Sequence, residues 1–467
     1  MYGLAILGAG PAGTGPLVWA AQNGRLHDLL DQGVAVVEQS TAPGGVIGKY
    51  IVNADSLSTS FIECLYAPAA QDVFAAVRAH EAARQLEQRR LEYPPLTLVA
   101  RYLSHLCLTL EEVVAQHPGS RFLSGTRVTS LHLRSDGTWL IKCSPGDDVL
   151  ARSVVLALGG RQDRAAMLAS EVIPGIRLAD VAPEKIVPSD VLLTQDGLVL
   201  AANFLSRARH PRAVIAGGSH SAFSAAWVLL TKLPATTFGE HDLTILHRRA
   251  PRIFYPSLED ALADGYLATG RDICPATKRV HRLGGLRNDG RELWRRLTGR
   301  PGTMPERRAR MMSLVDTPAD VLRRLLLEAT LIVPALGYRL NTVPIFDAAG
   351  RRLSLMADRG AMAVDKESRL LLADGAPLPN VFGVGLGSGY RPWGKMAGEP
   401  GFDGQQNSLW LYQNGLGQII YEGVRNCLSA SAARPRAVFR HRRPAPTPET
   451  ADTPLSADID PVASANG

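Results

Sequence analysis

A glycine-rich turn that directly follows an apolar strand opens the chain and most restricts its fold. The run Leu4–Leu7 leads into Gly8-Ala9-Gly10-Pro11-Ala12-Gly13, which has G-x-G-x-x-G spacing. In this pattern the first glycine allows a tight turn, the second lets the backbone approach a pyrophosphate, and the third lets a helix pack closely on the strand. The helix N-terminus adds unpaired N–H groups and a positive dipole end. We therefore expect a dinucleotide here, bound by Gly8, Gly10, Pro11, Ala12 and Gly13.

An acidic residue after the second apolar run supports this interpretation. Val34–Val37 ends in Glu38, which lies 25 residues after Gly13. A carboxylate at such a spacing accepts hydrogen bonds from the ribose hydroxyls of a dinucleotide. The alternative is a glycine-rich turn without a ligand, and the presence of Glu38 disfavours it.

The same pattern occurs a second time. The run Ala213–Ala216 is followed by Gly217-Gly218-Ser219-His220-Ser221-Ala222, and the next apolar run ends in His247-Arg248-Arg249, again 25 residues after Ala222. Guanidinium groups at this position pair with a 2′-phosphate, whereas an acid favours free ribose hydroxyls. The sequence therefore predicts an NADPH site formed by Gly217, Gly218, Ser219, Ser221, Arg248 and Arg249. A surface strand that ends in solvated arginines is the alternative.

Composition excludes several other classes of protein. Apolar residues make up 46% and charged residues 20% of the chain, as is typical of globular enzymes. No apolar stretch approaches the roughly 18 residues of a membrane span, and no leader precedes the first strand. We therefore expect a cytoplasmic protein that does not bind membranes. Five well-separated cysteines lack the spacing of a zinc site or of a C-x-x-C pair, so we expect no metal and reduced thiols.

Two further segments resemble class B flavin-dependent monooxygenases, which include N-hydroxylating, flavin-containing and Baeyer–Villiger enzymes. Val154–Gly160 is similar to the strand and loop by which the chain leaves the FAD domain, and Ala329–Tyr338 is similar to the family's return segment. The resemblance covers most of residues 1 to 425. It implies that the first turn binds FAD, that the second binds NADPH, and that Gly159 and Tyr338 lie beside the cofactors.

The predicted fold class is α/β, with two Rossmann-like three-layer domains, the NADPH domain being inserted into the FAD domain. At about 150 residues per domain, 467 residues are enough for both. The last segment is rich in Ala, Pro, Thr and Asp and predicts disorder. We assign residues 1–165 and 341–428 to the FAD domain, 166–340 to the NADPH domain and 429–467 to a disordered tail.

The resemblance also indicates where the flavin ring lies. The tract from Gly44 to Ser56 is similar to the region that runs under the ring in these families. It implies that Gly45 contacts FAD and that Asn53 forms a hydrogen bond near flavin C4a or N5, as a catalytic residue. The alternative is a turn asparagine that bonds its own backbone.

A third flavin contact is expected near the end of the chain. Val381–Gly387 resembles the last FAD-domain strand and implies a contact from Gly385, although Leu386 replaces the acid of many relatives. The apolar run from Leu409 to Ile420 predicts one helix whose N-terminus faces the pyrimidine edge of the flavin, with Asn407 as a second catalytic candidate. A helix cap beside a solvated loop is the alternative.

These features predict an FAD- and NADPH-dependent monooxygenase that acts on a small molecule and on molecular oxygen. The resemblance implies oxygen transfer from a C4a-hydroperoxyflavin, and nitrogen is the favoured acceptor. Alternatives are a reductase or dehydrogenase that inserts no oxygen and, less favoured, a non-catalytic NADPH sensor. The absence of C-x-x-C disfavours disulfide reductases. A homo-oligomer is compatible with the sequence.

One basic stretch carries most of the net charge of +7. Residues 278–310 contain eleven Lys or Arg and three acids, and Arg291–Leu297 has helical spacing. A solvated helix is the simpler interpretation. The alternative is a binding site, at Arg295 and Arg296, for an anionic partner such as a carrier protein bearing the substrate. No nucleic-acid-binding motif accompanies the charge.

Overall fold

The computed structural model of the protein describes residues 1–173, 175–181, 183–359 and 363–433. The strands are β1 Tyr2–Leu7, β2 Val34–Val37, β3 Arg121–Leu123, β4 Arg127–Leu133, β5 Trp139–Ser144, β6 Val149–Leu156, β7 Gly160–Arg161, β8 Glu171–Ile173, β9 Ile176–Arg177, β10 Ala213–Ala216, β11 Leu243–His247, β12 Ala309–Ser313, β13 Leu331–Pro334, β14 Arg339–Leu340, β15 Ile345–Phe346, β16 Arg369–Leu371 and β17 Pro377–Gly383. The helices are α1 Gly15–Gln22, α2 Leu26–Leu30, α3 Thr59–Ile62, α4 Ala75–Ala79, α5 Glu81–Gln88, α6 Leu96–Gln116, α7 Arg164–Leu168, α8 Ser189–Leu192, α9 Gln195–Ser206, α10 His220–Lys232, α11 Leu258–Ala263, α12 Asn288–Leu297, α13 Ala319–Glu328, α14 Leu409–Gln413 and α15 Gly415–Ala433.

The larger sheet is built around β1 and β6, which pair in parallel. Strands β2 and β3 extend it in parallel on one side. On the other side, the last three residues of β6 pair with β17 in parallel. The first three residues of β6 pair with β5 in an antiparallel ladder that continues to β4. Every residue of β2 is buried, as expected for a central parallel strand covered on both faces.

The smaller sheet is wholly parallel, with the strand order β12-β11-β10-β13. Every residue of β10 and β13 is buried, and α10 contributes seven buried side chains to the same core. Because parallel strands need crossover connections, this order requires helices on the faces of the sheet. The result is a second Rossmann-like unit, and the predicted α/β fold class is confirmed.

The chain leaves the larger sheet after β6 and returns to it at β15, so that the smaller sheet is formed entirely between these strands. The outgoing and returning segments lie side by side, because β7 and β14 pair in an antiparallel ladder. This arrangement brings the carboxyl ends of both sheets towards one cleft. The domain boundaries at residues 165, 340 and 428 stay predictions.

The expectation of one helix from Leu409 to Ile420 is wrong. Helix α14 ends at Gln413, Asn414 has φ −122° and ψ −106°, and α15 begins at Gly415. The break accommodates close packing, since a Cβ on Gly417 would lie 2.6 Å from the carbonyl oxygen of Tyr412. Helix α15 then continues to Ala433 and so includes the first residues of the predicted tail, whose remainder from 434 lies outside the described residues.

Within the described part of the chain, none of the helices combines the length and the apolar character that crossing a membrane requires.

Candidate functional site: a cleft between two glycine turns

The three glycines of the first turn have three different environments. Gly8 has φ +103°, a conformation that favours glycine, and a Cβ on Gly13 would overlap the carbonyl oxygen of Gly8. At Gly10, by contrast, the nearest atom to an added Cβ is Gly45 Cα at 3.8 Å. The turn therefore packs tightly at Gly8 and Gly13, whereas a methyl group at Gly10 would clash with no protein atom, and this pattern fits a pyrophosphate-binding turn.

Glu38 is held beside this turn by two backbone donors. Its Oε2 accepts a hydrogen bond from Ala9 N at 2.7 Å, and its Oε1 accepts one from Ser40 N at 2.8 Å. The side chain is buried, yet it lines the cleft next to the turn. The carboxylate is therefore oriented before any ligand arrives, which suits recognition of ribose hydroxyls.

A cleft of about 860 Å³ lies where the two halves of the molecule meet. It is lined by eleven of the residues that the sequence analysis singled out: Gly8, Gly10, Pro11, Ala12, Glu38, Gly45, Asn53, Gly159, Ser221, Tyr338 and Gly385. Gly13 is buried behind the turn. This volume is in the upper part of the range of ligand sites, as a cleft for an extended cofactor requires.

The second glycine turn packs against the end of β11. Gly217 has φ +148°, and a Cβ on Gly218 would lie 2.7 Å from His247 Cβ. Ser219 precedes α10 without a side-chain capping bond, and Ser221 in the first turn of α10 reaches the cleft. The N-terminus of a helix of thirteen residues therefore points its N–H groups towards the cleft, where a pyrophosphate binds favourably.

The two predicted phosphate-binding arginines differ in their surroundings. Both are exposed after β11. Arg249 Nη1 lies 2.6 Å from Asp403 Oδ2, a carboxylate from the segment after β17, and this bond holds the pKa of Asp403 below its usual range. Arg248 has no ion-pair partner among the described residues. Arg248 is therefore free to pair with a 2′-phosphate, and Arg249 would share its guanidinium between the phosphate and Asp403.

Asn53 does not bond its own backbone but reaches across the cleft. Its Nδ2 donates to Asp289 Oδ2 at 3.0 Å, although 236 residues separate the two in sequence. Asp289 lies in the first turn of α12 and also lines the cleft. Burial raises the pKa of the Asp289 carboxyl, and the bond from Asn53 acts in the opposite direction. The pair joins the tract that resembles a flavin-binding segment to the smaller-sheet half.

Asn407 is not among the residues that line the cleft. Its Oδ1 accepts a hydrogen bond from the Tyr412 hydroxyl at 3.2 Å, and Ser408, not Asn407, caps α14 through a bond from Leu411 N at 3.2 Å. Tyr412 does line the cleft. Any effect of Asn407 on a cofactor would therefore pass through Tyr412.

Four of the eleven basic residues in the stretch 278–310 form ion pairs with acids of the described part of the chain. Arg291 and Arg295 both lie within 4.0 Å of the buried Asp264, and Arg296 Nε bonds Glu292 at 2.7 Å. Arg287 differs from these, because it lines the cleft. A local signal for this position was present in the sequence, since Asn288 and Asp289 are residue types typical of the start of a helix.

Within the described residues there is no cluster of three or more His, Cys, Asp or Glu that could hold a metal. Burial raises the pKa values of the Cys64 and Cys107 thiols to about 12, so neither is a reactive thiolate near neutral pH.

The uncrowded Gly10, the oriented carboxylate of Glu38 and the N-terminus of α10 fit the phosphates and ribose of two nucleotides.

Comparison with known proteins agrees with this geometry. A family described as FAD-NAD(P)-binding matches residues 5–161. Over 434 residues the chain is 33% identical to the CMP-5′-(3-aminopropyl)phosphonate hydroxylase of Streptomyces rubellomurinus, and the alignment covers 91% of this chain and 97% of that protein.

Two solved structures show the same fold. L-lysine 6-monooxygenase from Pseudomonas syringae has a TM-score of 0.54 at 16% identity and covers 92% of this chain and 100% of its own. Ornithine N-hydroxylase from Kutzneria sp. 744 has a TM-score of 0.50 at 15% identity, with 91% and 99% covered. At such identities the likeness concerns the fold alone. Taken together with the relative from Streptomyces, this fold agrees with the predicted class of enzyme. The chain belongs to the family of the CMP-5′-(3-aminopropyl)phosphonate hydroxylase, within the class B flavin monooxygenases, and is an FAD- and NADPH-dependent oxidoreductase.

Proposed function

We propose that this monooxygenase N-hydroxylates the primary amine of an aminoalkylphosphonate that is carried on a cytidine nucleotide. In the overall reaction, R–NH₂, NADPH, H⁺ and O₂ give R–NHOH, NADP⁺ and H₂O. The observation that carries the proposal is the Asn53–Asp289 pair, which places an amide and a carboxylate in the cleft that both glycine turns border. The name of the relative that is 33% identical supports the substrate class.

The residues that would hold the cofactors follow from the two turns. Gly8, Gly10 and Glu38 would bind the ADP portion of FAD, with Gly45, Gly159 and Gly385 along the rest of the cofactor. Gly217, Gly218, Ser219 and Ser221 would bind the NADPH pyrophosphate, and Arg248 with Arg249 the 2′-phosphate. Tyr338 would lie between the cofactors, where it lines the cleft. Bound FAD, reduced by NADPH, supplies the activation of molecular oxygen.

Asp289 would prepare the substrate amine for attack. An amine is a nucleophile only when its nitrogen lone pair is free, and at neutral pH an alkylamine is protonated. A carboxylate facing the cleft can accept a hydrogen bond from the ammonium group and receive its proton. Asn53 would orient this carboxylate through the 3.0 Å bond to Oδ2. In this proposal Asp289 is a catalytic residue and Asn53 a positioning residue.

A substrate carried on a nucleotide has more support than a substrate carried on a protein. The arginines that the sequence analysis assigned to an anionic partner, Arg295 and Arg296, are bound to Asp264 and Glu292. Guanidinium groups already paired at 3.0 Å and 2.7 Å have less to gain from a second anionic partner. The name of the relative that is 33% identical, in contrast, contains a cytidine nucleotide.

The test is turnover of the FAD-loaded enzyme with NADPH under ¹⁸O₂ and CMP-5′-(3-aminopropyl)phosphonate. We expect a product that is heavier by one labelled oxygen and that reacts as a hydroxylamine. The matched control is the propylphosphonate analogue without the amine, which should yield no labelled product. NADPH oxidation without labelled product, with release of hydrogen peroxide only, would contradict the proposed reaction.

A further inference from the structure

Arg287 lies immediately before α12 and lines the cleft together with its two neighbours, Asn288 and Asp289. Asn288 has φ +42°, a left-handed conformation that is rare for residues other than glycine. Such conformations cluster at binding sites, where the surrounding structure maintains the strain. The backbone at Asn288 thus directs two opposite charges, those of Arg287 and Asp289, into one cavity.

The guanidinium of Arg287 is held in a defined plane. Its central carbon lies 4.0 Å from the centroid of the Phe254 ring, and its Nη2 donates to the carbonyl oxygen of Arg282 at 2.5 Å. These two contacts use one face of the guanidinium and one N–H group. The second N–H of Nη2 and the N–H groups of Nε and Nη1 have no hydrogen-bond partner among the residues the structure describes.

No carboxylate of the described residues forms an ion pair with Arg287. The acids that face it are otherwise engaged. Glu399 accepts hydrogen bonds from the backbone N–H groups of Leu283 and Gly284, both at 3.1 Å, and Asp55 lies 3.8 Å from His220 Nε2. Burial lowers the pKa of the Arg287 guanidinium. Asp55 and Glu399 stabilise this charge without contacting it, and an anionic ligand in direct contact would offset more of the cost of burial.

We infer that Arg287 binds a phosphoryl or phosphonyl oxyanion of the substrate in the cleft, and so selects substrates that carry such a group. The inference rests on the proposed function for the identity of the substrate. An aminoalkylphosphonate has a cationic amine at one end and an oxyanion at the other, which complements Asp289 and Arg287. The free N–H of Nη2, together with the neighbouring N–H of Nε or Nη1, forms one edge of the planar guanidinium that suits two oxygens of one phosphorus group.

NADPH also carries phosphate groups, so the test separates the two sources. The probe is propylphosphonate, which has the oxyanion but no amine to oxygenate, and its affinity for the FAD-loaded enzyme is measured by calorimetry. The variants are Arg287→Gln and, as a control, Arg324→Gln, which removes one charge from an exposed ion pair on α13. The affinity for NADP⁺ is measured on the same samples.

We expect Arg287→Gln to weaken propylphosphonate binding roughly 30-fold, as loss of one member of a partly buried charge pair predicts, and to leave NADP⁺ binding within twofold. Arg324→Gln should match the wild type in both. A fall in NADP⁺ affinity with unchanged propylphosphonate affinity would assign Arg287 to the cofactor and overturn the inference, as would no change in either. The Arg287→Lys variant, which keeps the charge, should recover part of the binding and so shows that a loss in Arg287→Gln is not misfolding.

Because propylphosphonate is not a substrate, this result does not depend on the reaction. An enzyme that binds it through Arg287 but forms no hydroxylamine from the aminopropyl compound contradicts the proposed function and supports the inference. Conversely, hydroxylamine formation with Arg287-independent binding contradicts the inference alone.

Discussion

At the scale of single residues, the cleft combines groups that differ in charge and in how firmly they are held. Glu38 is anchored by two backbone donors, whereas Asp289 has one amide partner, Asn53. An anchored acid suits recognition of a fixed ribose, and an acid with fewer donors and a raised pKa suits proton exchange. The two carboxylates therefore differ in role for the same reason that they differ in environment.

Asp289→Asn should separate catalysis from folding. The pKa of the Asp289 carboxyl is raised, so proton acceptance is lost as pH falls through that raised value. We expect kcat/KM of the wild type to decline on this acid side and Asp289→Asn to lower it by roughly 10²-fold or more, with the acid limb removed. A pH profile of hydroxylamine formation for both proteins provides the measurement.

Stability should change in the opposite sense. A carboxyl whose folded pKa is raised stabilises the fold most below its unfolded pKa, and this contribution is lost as pH rises through the folded pKa. The amide of Asp289→Asn has no charge to bury, so its Tm at neutral pH should equal or exceed that of the wild type. A lower Tm together with an unchanged pH profile would mean that Asp289 is a structural residue.

At the scale of elements, the first glycine turn joins β1 to α1 and uses its glycines for separate purposes. Gly13 permits contact between the start of the helix and the carbonyl of Gly8, whereas a Cβ added at Gly10 would lie 3.8 Å from Gly45 Cα, in ordinary van der Waals contact. The turn therefore provides a packing contact at Gly13 and a candidate ligand-binding position at Gly10.

Alanine substitutions in this turn should separate these two purposes. Gly13→Ala forces a shift between α1 and the turn and should destabilise the FAD-free protein by about 1–3 kcal/mol. Gly10→Ala has room for its methyl group, so the FAD-free protein should keep its Tm, yet the methyl would crowd the pyrophosphate and FAD affinity should fall at least tenfold. Thermal melts and FAD titrations of both apoproteins are the measurements, and equal behaviour of the two variants would contradict the assignment.

At the scale of the whole molecule, the segment from Ala397 to Asp403 crosses from the FAD-binding half onto the smaller-sheet half. Gly401 N donates to the carbonyl oxygen of Arg271 at 2.7 Å, Arg252 Nη2 donates to Gly401 O at 2.9 Å, and Asp403 pairs with Arg249. This segment therefore brings a negative charge to the position that we assign to the 2′-phosphate of NADPH.

Cofactor preference should respond to both sides of this contact. Replacing Arg248 and Arg249 by Ala should lower the ratio of kcat/KM for NADPH over NADH at least tenfold, since the 2′-phosphate loses its charged partners. Asp403→Ala should raise that ratio, by no more than about fivefold because the pair is exposed. NADPH and NADH oxidation rates under steady state measure both, and an unchanged ratio in the double variant would remove the arginines from the site.

The two nucleotide-binding units follow from local sequence patterns. Each depends on residues that are neighbours along the chain: an apolar strand, a glycine turn and a charged residue 25 positions later. Such patterns specify local backbone conformation and packing directly. The Rossmann topology, the likeness to class B monooxygenases and the need for FAD and NADPH were therefore predictable, and the comparisons confirm them.

Which side chains meet in the cleft depends on contacts between distant parts of the chain. Asn53 and Asp289 are 236 residues apart. Arg287 faces the cleft, whereas Arg295 of the same basic stretch binds Asp264. Asn414 interrupts a run that had helical character throughout. These outcomes depend on which surfaces meet when the two halves pack together. Because long-range packing and charge pairing are not encoded in local periodicity, no pattern in the sequence could have placed Asn53 beside Asp289 in one cavity.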